Sequence, residues 1–315
     1  MRVALLIFAL GVLVPLLAYW LFPRPILYWI RDRLRAKARL TLRSVRVGEF
    51  DWPYLEGGPQ AASPAAPPLV LVHGFGGDKD NWAMIAPHLT DRYHVIVPDL
   101  VGFGDNARAD HVAYDIKAQT DRLIAFLDAL GIGRCHLVGN SMGGWIALQA
   151  ALDHPERLTT LTLVNNAGVI GKEQSELQKL PRDGVSPLVA NSARDLKRLM
   201  GFIAHKPRYL PSRFMDVAFQ DRAASGALHD KIFWTIVEDG EVRPLNDRLR
   251  DVAVPTLIVW GRHDRLIHVS CVAELEAGIP TAESFVFDDA GHVPMIEKPG
   301  AMAAVMRRFL ARHGH

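Results

Sequence analysis

The chain has 315 residues, 49% hydrophobic and 22% charged, which marks a globular protein of one large or two smaller domains and excludes a disordered one. Lys and Arg number 36 against 34 Asp and Glu, a net charge of +2 that is too balanced for a broad nucleic-acid surface. Two cysteines, Cys135 and Cys271, exclude a disulfide scaffold and any CxxC metal or redox motif.

The chain opens on a run of 21 uncharged residues, Val3 to Pro23. As a helix this run spans about 31 Å, the thickness of a bilayer core. Tyr19, Trp20, Tyr28 and Trp29 fall where an interfacial aromatic belt belongs. A cleaved signal peptide has a shorter apolar core and a small-residue site, which Leu17-Ala18-Tyr19-Trp20 does not offer. Residues 1–23 are therefore expected to be an uncleaved transmembrane anchor. Between Arg24 and Arg46 stand eight Lys or Arg and one acid, Asp32. Arg31, Arg35 and Arg39 share helical spacing, and so do Ile30, Leu34 and Ala38. Residues 24–40 read as a basic juxtamembrane helix with its cations toward lipid phosphates. The charge rule alone favours a cytoplasmic body, since only Arg2 and the amino terminus precede the run.

Beyond the anchor, short apolar runs alternate with helical patterns. Residues 41–50 read as a strand and the proline-rich stretch 57–68 as a loop. Strands are expected at 69–73, 94–98, 135–140, 161–165, 256–261 and 284–287 by length and β-branching. Helices are expected at 82–89, 114–130, 142–153, 271–277 and 300–312. This alternation defines an α/β fold with a mostly parallel sheet, whose ligands bind beyond the carboxyl ends of the strands. Residues 171–250 interrupt it with helical patterns at 193–203, 211–219 and 231–238. They read as a helical cap inserted into a core formed by 41–170 and 251–315.

The chemistry centres on Gly139-Asn140-Ser141-Met142-Gly143-Gly144, a GxSxG motif between an expected strand and an expected helix. Such a turn lifts the Ser141 hydroxyl to the top of the sheet at a helix N-terminus. A serine needs a base. Of 13 histidines, His292 in Asp289-Ala290-Gly291-His292-Val293-Pro294 follows the last strand at the same edge. Asp264 in Trp260-Gly261-Arg262-His263-Asp264 supplies the acid that orients it, and the order Ser141, Asp264, His292 is the one this fold uses. For the oxyanion hole the candidates are the N–H groups of Phe75, in His73-Gly74-Phe75-Gly76-Gly77, and of Met142. His73 is expected to brace that loop. Phe202, Ile203, Phe214, Phe219, Ile232 and Phe233, with Leu196, Leu199 and Trp234, are expected to offer apolar surface over Ser141. No metal or cofactor is expected.

The segments HGFGGDKDNW, LVGNSMGGWIAL, TLIVWGRHD and DAGHVPMIEKP resemble the α/β-hydrolase superfamily, from about residue 41 to 312. The likeness is greatest to the membrane-anchored monoacylglycerol lipases of animals and to bacterial membrane-bound phospholipases A of the PlaF type. It implies hydrolysis of glycerolipid acyl esters through an acyl-enzyme, with membrane lipids as substrate and fatty acid as product. It also implies a catalytic body on the periplasmic face of a bacterial inner membrane, and a homodimer through residues 1–40. The stretch Asp99-Leu100-Val101-Gly102-Phe103-Gly104-Asp105 departs from the superfamily, which has proline at Val101 and often serine at Asp105. GNSMGG also occurs in hydrolases that cleave carbon–carbon bonds in aromatic ring-fission products, the alternative reading. Those enzymes often carry tryptophan after the histidine, where Val293 stands here. Enzymes that use a carboxylate nucleophile are excluded by Ser141.

Overall fold

The computed structural model describes residues 2–59, 67–181, 184, 186–207 and 209–313, with the backbone alone for 2–10 and for residue 12. Eight strands form one sheet in the order β1-β2-β4-β3-β5-β6-β7-β8. They are β1 Leu40–Val47, β2 Phe50–Gly57, β3 Leu69–Val72, β4 Val95–Pro98, β5 Cys135–Asn140, β6 Leu158–Val164, β7 Thr256–Gly261 and β8 Ala282–Phe287. β1, β2 and β4 pair antiparallel, and every pair from β4 to β8 is parallel.

The helices are α1 Arg2–Leu21, α2 Pro23–Lys37, α3 Ile116–Ala129, α4 Met142–Asp153, α5 Ala193–Ile203, α6 Ser212–Ala223, α7 Gly226–Val242, α8 Cys271–Gly278, α9 Pro294–Glu297 and α10 Pro299–His313. The strand period of two sorts side chains between two cores. Val70, Val72 and Ile96 pack with α3, α4 and α8 on one face. Leu69, Leu71, Val95 and Val97 pack with Trp82, Ile85 and α10 on the other. Three helices, α5 to α7, lie between β6 and β7 in sequence and roof the carboxyl edge of the sheet.

Two expected elements are corrected. Residues 41–50 are not one strand: β1 ends at Val47, Gly48 turns with φ +56°, and Phe50 begins β2. The stretch 82–89 is not an α-helix, because Pro87 forbids the continuous hydrogen-bond ladder; two 3-10 turns, Lys79–Trp82 and Ala86–His88, stand there instead. The expected loop 57–68 lies mostly outside the described residues.

At the amino terminus, Phe22 separates α1 from α2. Among the described residues no single helix is long and apolar enough to cross a membrane. The pair Leu13–Leu21 and Pro23–Lys37, bent by 101°, has the length and composition together. Not all the cations of α2 are turned to the surface, against the expected row. Arg24 pairs with Asp221 of α6 at 2.7 Å, and Tyr28 donates to the same carboxylate at 3.1 Å. Arg35 turns inward onto Asp80, with its side chain only 8% exposed. Arg39 has left the helix, with φ +54°. Trp29, 58% exposed, and Ile30 remain on the outer side.

Burial of His136 is expected to make this fold acid-sensitive. His136 on β5 is 3% exposed and bonded to Thr160 Oγ1 at 2.9 Å. Burial, helped by Arg134, lowers its pKa from 6.5 to about 4. An unfolded chain therefore takes up a proton below pH 6.5 that the folded chain refuses until about pH 4. Stability present above that window is lost on descending through it, by as much as about 3 kcal/mol. The expected result is a melting midpoint that falls across the window and falls less in His136→Gln; equal slopes in thermal scans of the two proteins would contradict it.

Candidate active site

The site forms where β3, β5, β6, β7 and β8 end. Ser141 follows β5 and precedes α4, with φ +57° and ψ −120°, a strained conformation for a residue with a Cβ. The turn is possible because its neighbours are glycines. A Cβ on Gly139 would lie 2.1 Å from the Gly143 carbonyl oxygen, and one on Gly143 would lie 2.4 Å from that of His73. The Ser141 N–H is fixed by the Val164 carbonyl at 3.0 Å.

Asp264 and His292 meet at the neighbouring loops. His292 Nδ1 donates to Asp264 Oδ2 at 2.8 Å, and both residues are buried. The carboxylate is saturated with donors. Oδ2 also accepts from Asn165 Nδ2 at 2.7 Å, while Oδ1 accepts from the N–H groups of Leu266 at 2.8 Å and Ile267 at 3.0 Å. His292 is held by its backbone too. Its N–H donates to Ile203 O at the end of α5 (2.8 Å), and its carbonyl accepts from Asn140 Nδ2 at 3.2 Å. Glu297 on α9 ties this loop down, accepting from Gly291 N–H and His205 N–H at 2.8 Å each.

Met142 adjoins Ser141 in sequence, and Phe75 lines the same cavity as Ser141. Met142 is the first residue of α4, so its N–H has no carbonyl one turn earlier. Among the described residues neither the Phe75 nor the Met142 N–H has a hydrogen-bond acceptor. His73 is fully buried, its Nδ1 bonded to the Gly74 carbonyl at 2.8 Å and its Nε2 accepting from Leu100 N–H at 3.0 Å. Burial lowers its pKa, so the ring is a neutral brace for the loop. Asp105 has a defined place as well: Lys79 Nζ lies between it, at 2.6 Å, and buried Asp99, at 2.5 Å.

Ser141, His292 and Phe75 line one cavity of about 620 Å³, walled by Leu196, Leu199, Met200, Ile203, Leu210, Met215 and Phe219. Of the six expected channel residues, Ile203 and Phe219 lie on this wall. The other four are placed elsewhere. Ile232 is fully buried in the core, Phe214 packs edge-on against Tyr19, and Phe233 packs against the Phe75 ring. The Phe202 ring lies beneath the Arg265 guanidinium at 4.5 Å. A helix turns one side to the cavity and another to its support, and apolarity alone does not distinguish them. Asn165, Asn140 and Glu297 were missed by sequence reasoning. The available signal was position, since Asn140 ends β5 and Asn165 follows β6 at the catalytic edge. Among the described residues no group of three or more His, Cys, Asp and Glu is disposed to hold a metal ion.

Residues 67–299 match the family model for the alpha/beta hydrolase fold, and the chain belongs to that family. It is an ester hydrolase. Lipase 1 of Psychrobacter immobilis is 35% identical over 268 residues, 84% of this chain and 82% of the relative. Monoacylglycerol lipase abhd6-B of Xenopus laevis is 26% identical over 95% of this chain and 92% of its own. The crystal structure of a membrane phospholipase A, described as a bacterial virulence factor, superposes with a TM-score of 0.87 at 36% identity and covers 99% of each chain.

Proposed function

We propose that the chain is a membrane-bound serine esterase that hydrolyses acyl esters of glycerolipids, of phospholipase A, lysophospholipase or monoacylglycerol lipase type. One observation carries the reading: the elbow serine and His292, whose ring is bonded to Asp264 behind it, open together onto an apolar-walled cavity of about 620 Å³. The Ser141 oxygen attacks the ester carbonyl as His292 Nε2 takes its proton. Asp264 holds the ring by its Nδ1–H and stabilises the cation that forms. The N–H groups of Phe75 and Met142 bind the oxyanion. His292 then protonates the leaving alcohol, and water releases the fatty acid from the acyl-enzyme by the same route.

In this reading residues 1–23 anchor the chain and 24–40 lie along the lipid surface. Residues 41–170 and 251–315 are the catalytic core, and 171–250 are the cap. The body sits on the periplasmic face of a bacterial inner membrane. A homodimer through residues 1–40 would pair on the side of α2 that carries Trp29 and Ile30. The carbon–carbon hydrolase alternative has less support, because a soluble substrate gives the anchor no role.

The test is fluorophosphonate labelling of carbonate-washed membranes, followed by phospholipids, monoacylglycerols and a series of p-nitrophenyl esters. Each buried methylene contributes about 0.8 kcal/mol, so kcat/KM for octanoate is expected to exceed that for acetate by at least about 100-fold. A uniform preference for acetate, or labelling found only in the soluble fraction, would refute the proposal.

A further inference from the structure

We infer that α2 is a working part of the catalytic site, with Arg35 as the positioning residue that holds the oxyanion loop in place. The inference rests on the assignment of the Phe75 N–H as an oxyanion donor.

The loop runs from His73 into the 3-10 turn Lys79–Trp82. Its inner side is fixed by Lys79, whose ammonium bonds Asp99 and Asp105 and whose N–H bonds Asp99 Oδ1 at 2.7 Å. Its outer side carries Asp78 and Asp80. Asp78 caps the turn, accepting from the Asp80 N–H at 2.9 Å, and Arg222 of α6 approaches it at 3.7 Å. Asp80 receives Arg35 as a fork, Nε to Oδ1 at 2.7 Å and Nη2 to Oδ2 at 2.6 Å.

Two parallel charged hydrogen bonds fix angle as well as distance, which a single surface ion pair does not. The Arg35 side chain is 8% exposed, so water and salt compete poorly for it. Movement of Asp80 is passed to Phe75 through a short path, because the Gly77 N–H closes a tight turn on the Gly74 carbonyl at 3.1 Å. At its other end α2 is bonded to Asp221 and Gln220 of α6. A helix whose composition assigns it to lipid thus spans from the roof of the cavity to the loop beside the serine.

The test uses the full chain in detergent with two soluble substrates, p-nitrophenyl butyrate and its thiono analogue. Sulfur accepts hydrogen bonds weakly, so the ester-to-thionoester rate ratio reads the oxyanion donors and is independent of the folded fraction. Arg35→Ala is expected to lower kcat on the ester by about 10- to 100-fold, with KM within about twofold, and to lower the ratio about tenfold. Arg35→Lys should recover part of both. Arg35→Ala combined with Asp80→Ala should lose no more than the worse single variant. An unchanged ratio in Arg35→Ala, or equal losses on both substrates, would overturn the inference. Where Arg35→Ala does not accumulate, the ratio in Arg35→Lys and Asp80→Asn decides in the same way. Failure of the underlying reading is separate: Ser141→Ala would then turn over the ester at the wild-type rate.

Discussion

Replacing Ser141 with alanine is expected to lower hydrolysis of p-nitrophenyl butyrate by at least ~10³-fold, with fluorophosphonate labelling abolished. The change removes only the oxygen. Alanine keeps the Cβ, so the backbone strain at φ +57° and the close packing around Gly139 and Gly143 are the same in both proteins. Among the described residues the Ser141 hydroxyl makes no hydrogen bond, so the melting midpoint should be unaltered. What remains after the substitution is substrate binding and the oxyanion donors, which still stabilise the carbonyl oxygen while water, a poor nucleophile, attacks. A near wild-type rate would remove Ser141 from the chemistry.

Asp264→Asn should cost about 10³- to 10⁴-fold in kcat, for a reason that is visible in the donor count. Four donors converge on this carboxylate: Asn165, His292 and the N–H groups of Leu266 and Ile267. An amide offers one oxygen and one NH2. If the NH2 turns toward Leu266 and Ile267, it meets two donors. If it turns toward His292, the ring must present Nδ1 as an acceptor and carry its proton on Nε2, where it cannot receive another from Ser141. Stability is expected to fall as well, since either orientation buries an unpaired donor. Rates must therefore be normalised by active-site titration, and a normalised loss below about tenfold would overturn the assigned role.

The parts of this fold that are legible in the sequence are those set by local chemistry. The parallel strands β3 to β8 are short apolar runs bounded by breakers, and the elbow is spelled by Gly139, Ser141 and Gly143 within ten residues. β2 was hidden because Phe50–Gly57 carries Asp51, Pro53 and Glu56, residues disfavoured in strands, which masked the alternation of Phe50, Trp52 and Tyr54. It is held by pairing with β1 and β4, and the Pro53 carbonyl accepts from Asp99 N–H at 3.0 Å. Such pairing follows from tertiary context rather than propensity. The positions of Ser141, Asp264 and His292 were legible because each follows a strand end. Asn165 and Glu297 were not, because their roles depend on where two loops approach. Arg35 is the sharpest case: its spacing within α2 matches a lipid-facing row, and its partner stands 45 residues away.

The 101° bend between α1 and α2 sets a boundary condition on how such an enzyme finds its substrate. In the proposed membrane-bound form, with α1 along the bilayer normal, α2 would run close to the membrane plane, and α6 and the loop that carries Asp80 are bonded directly to it. In that form the distance from lipid to Ser141 would be a property of the fold rather than of a flexible tether. Search would then be lateral, in two dimensions, and the variable that governs turnover would be the mole fraction of substrate in the bilayer rather than its amount per volume of water. Diluting the substrate with inert lipid would slow such an enzyme, while diluting the suspension with buffer would not.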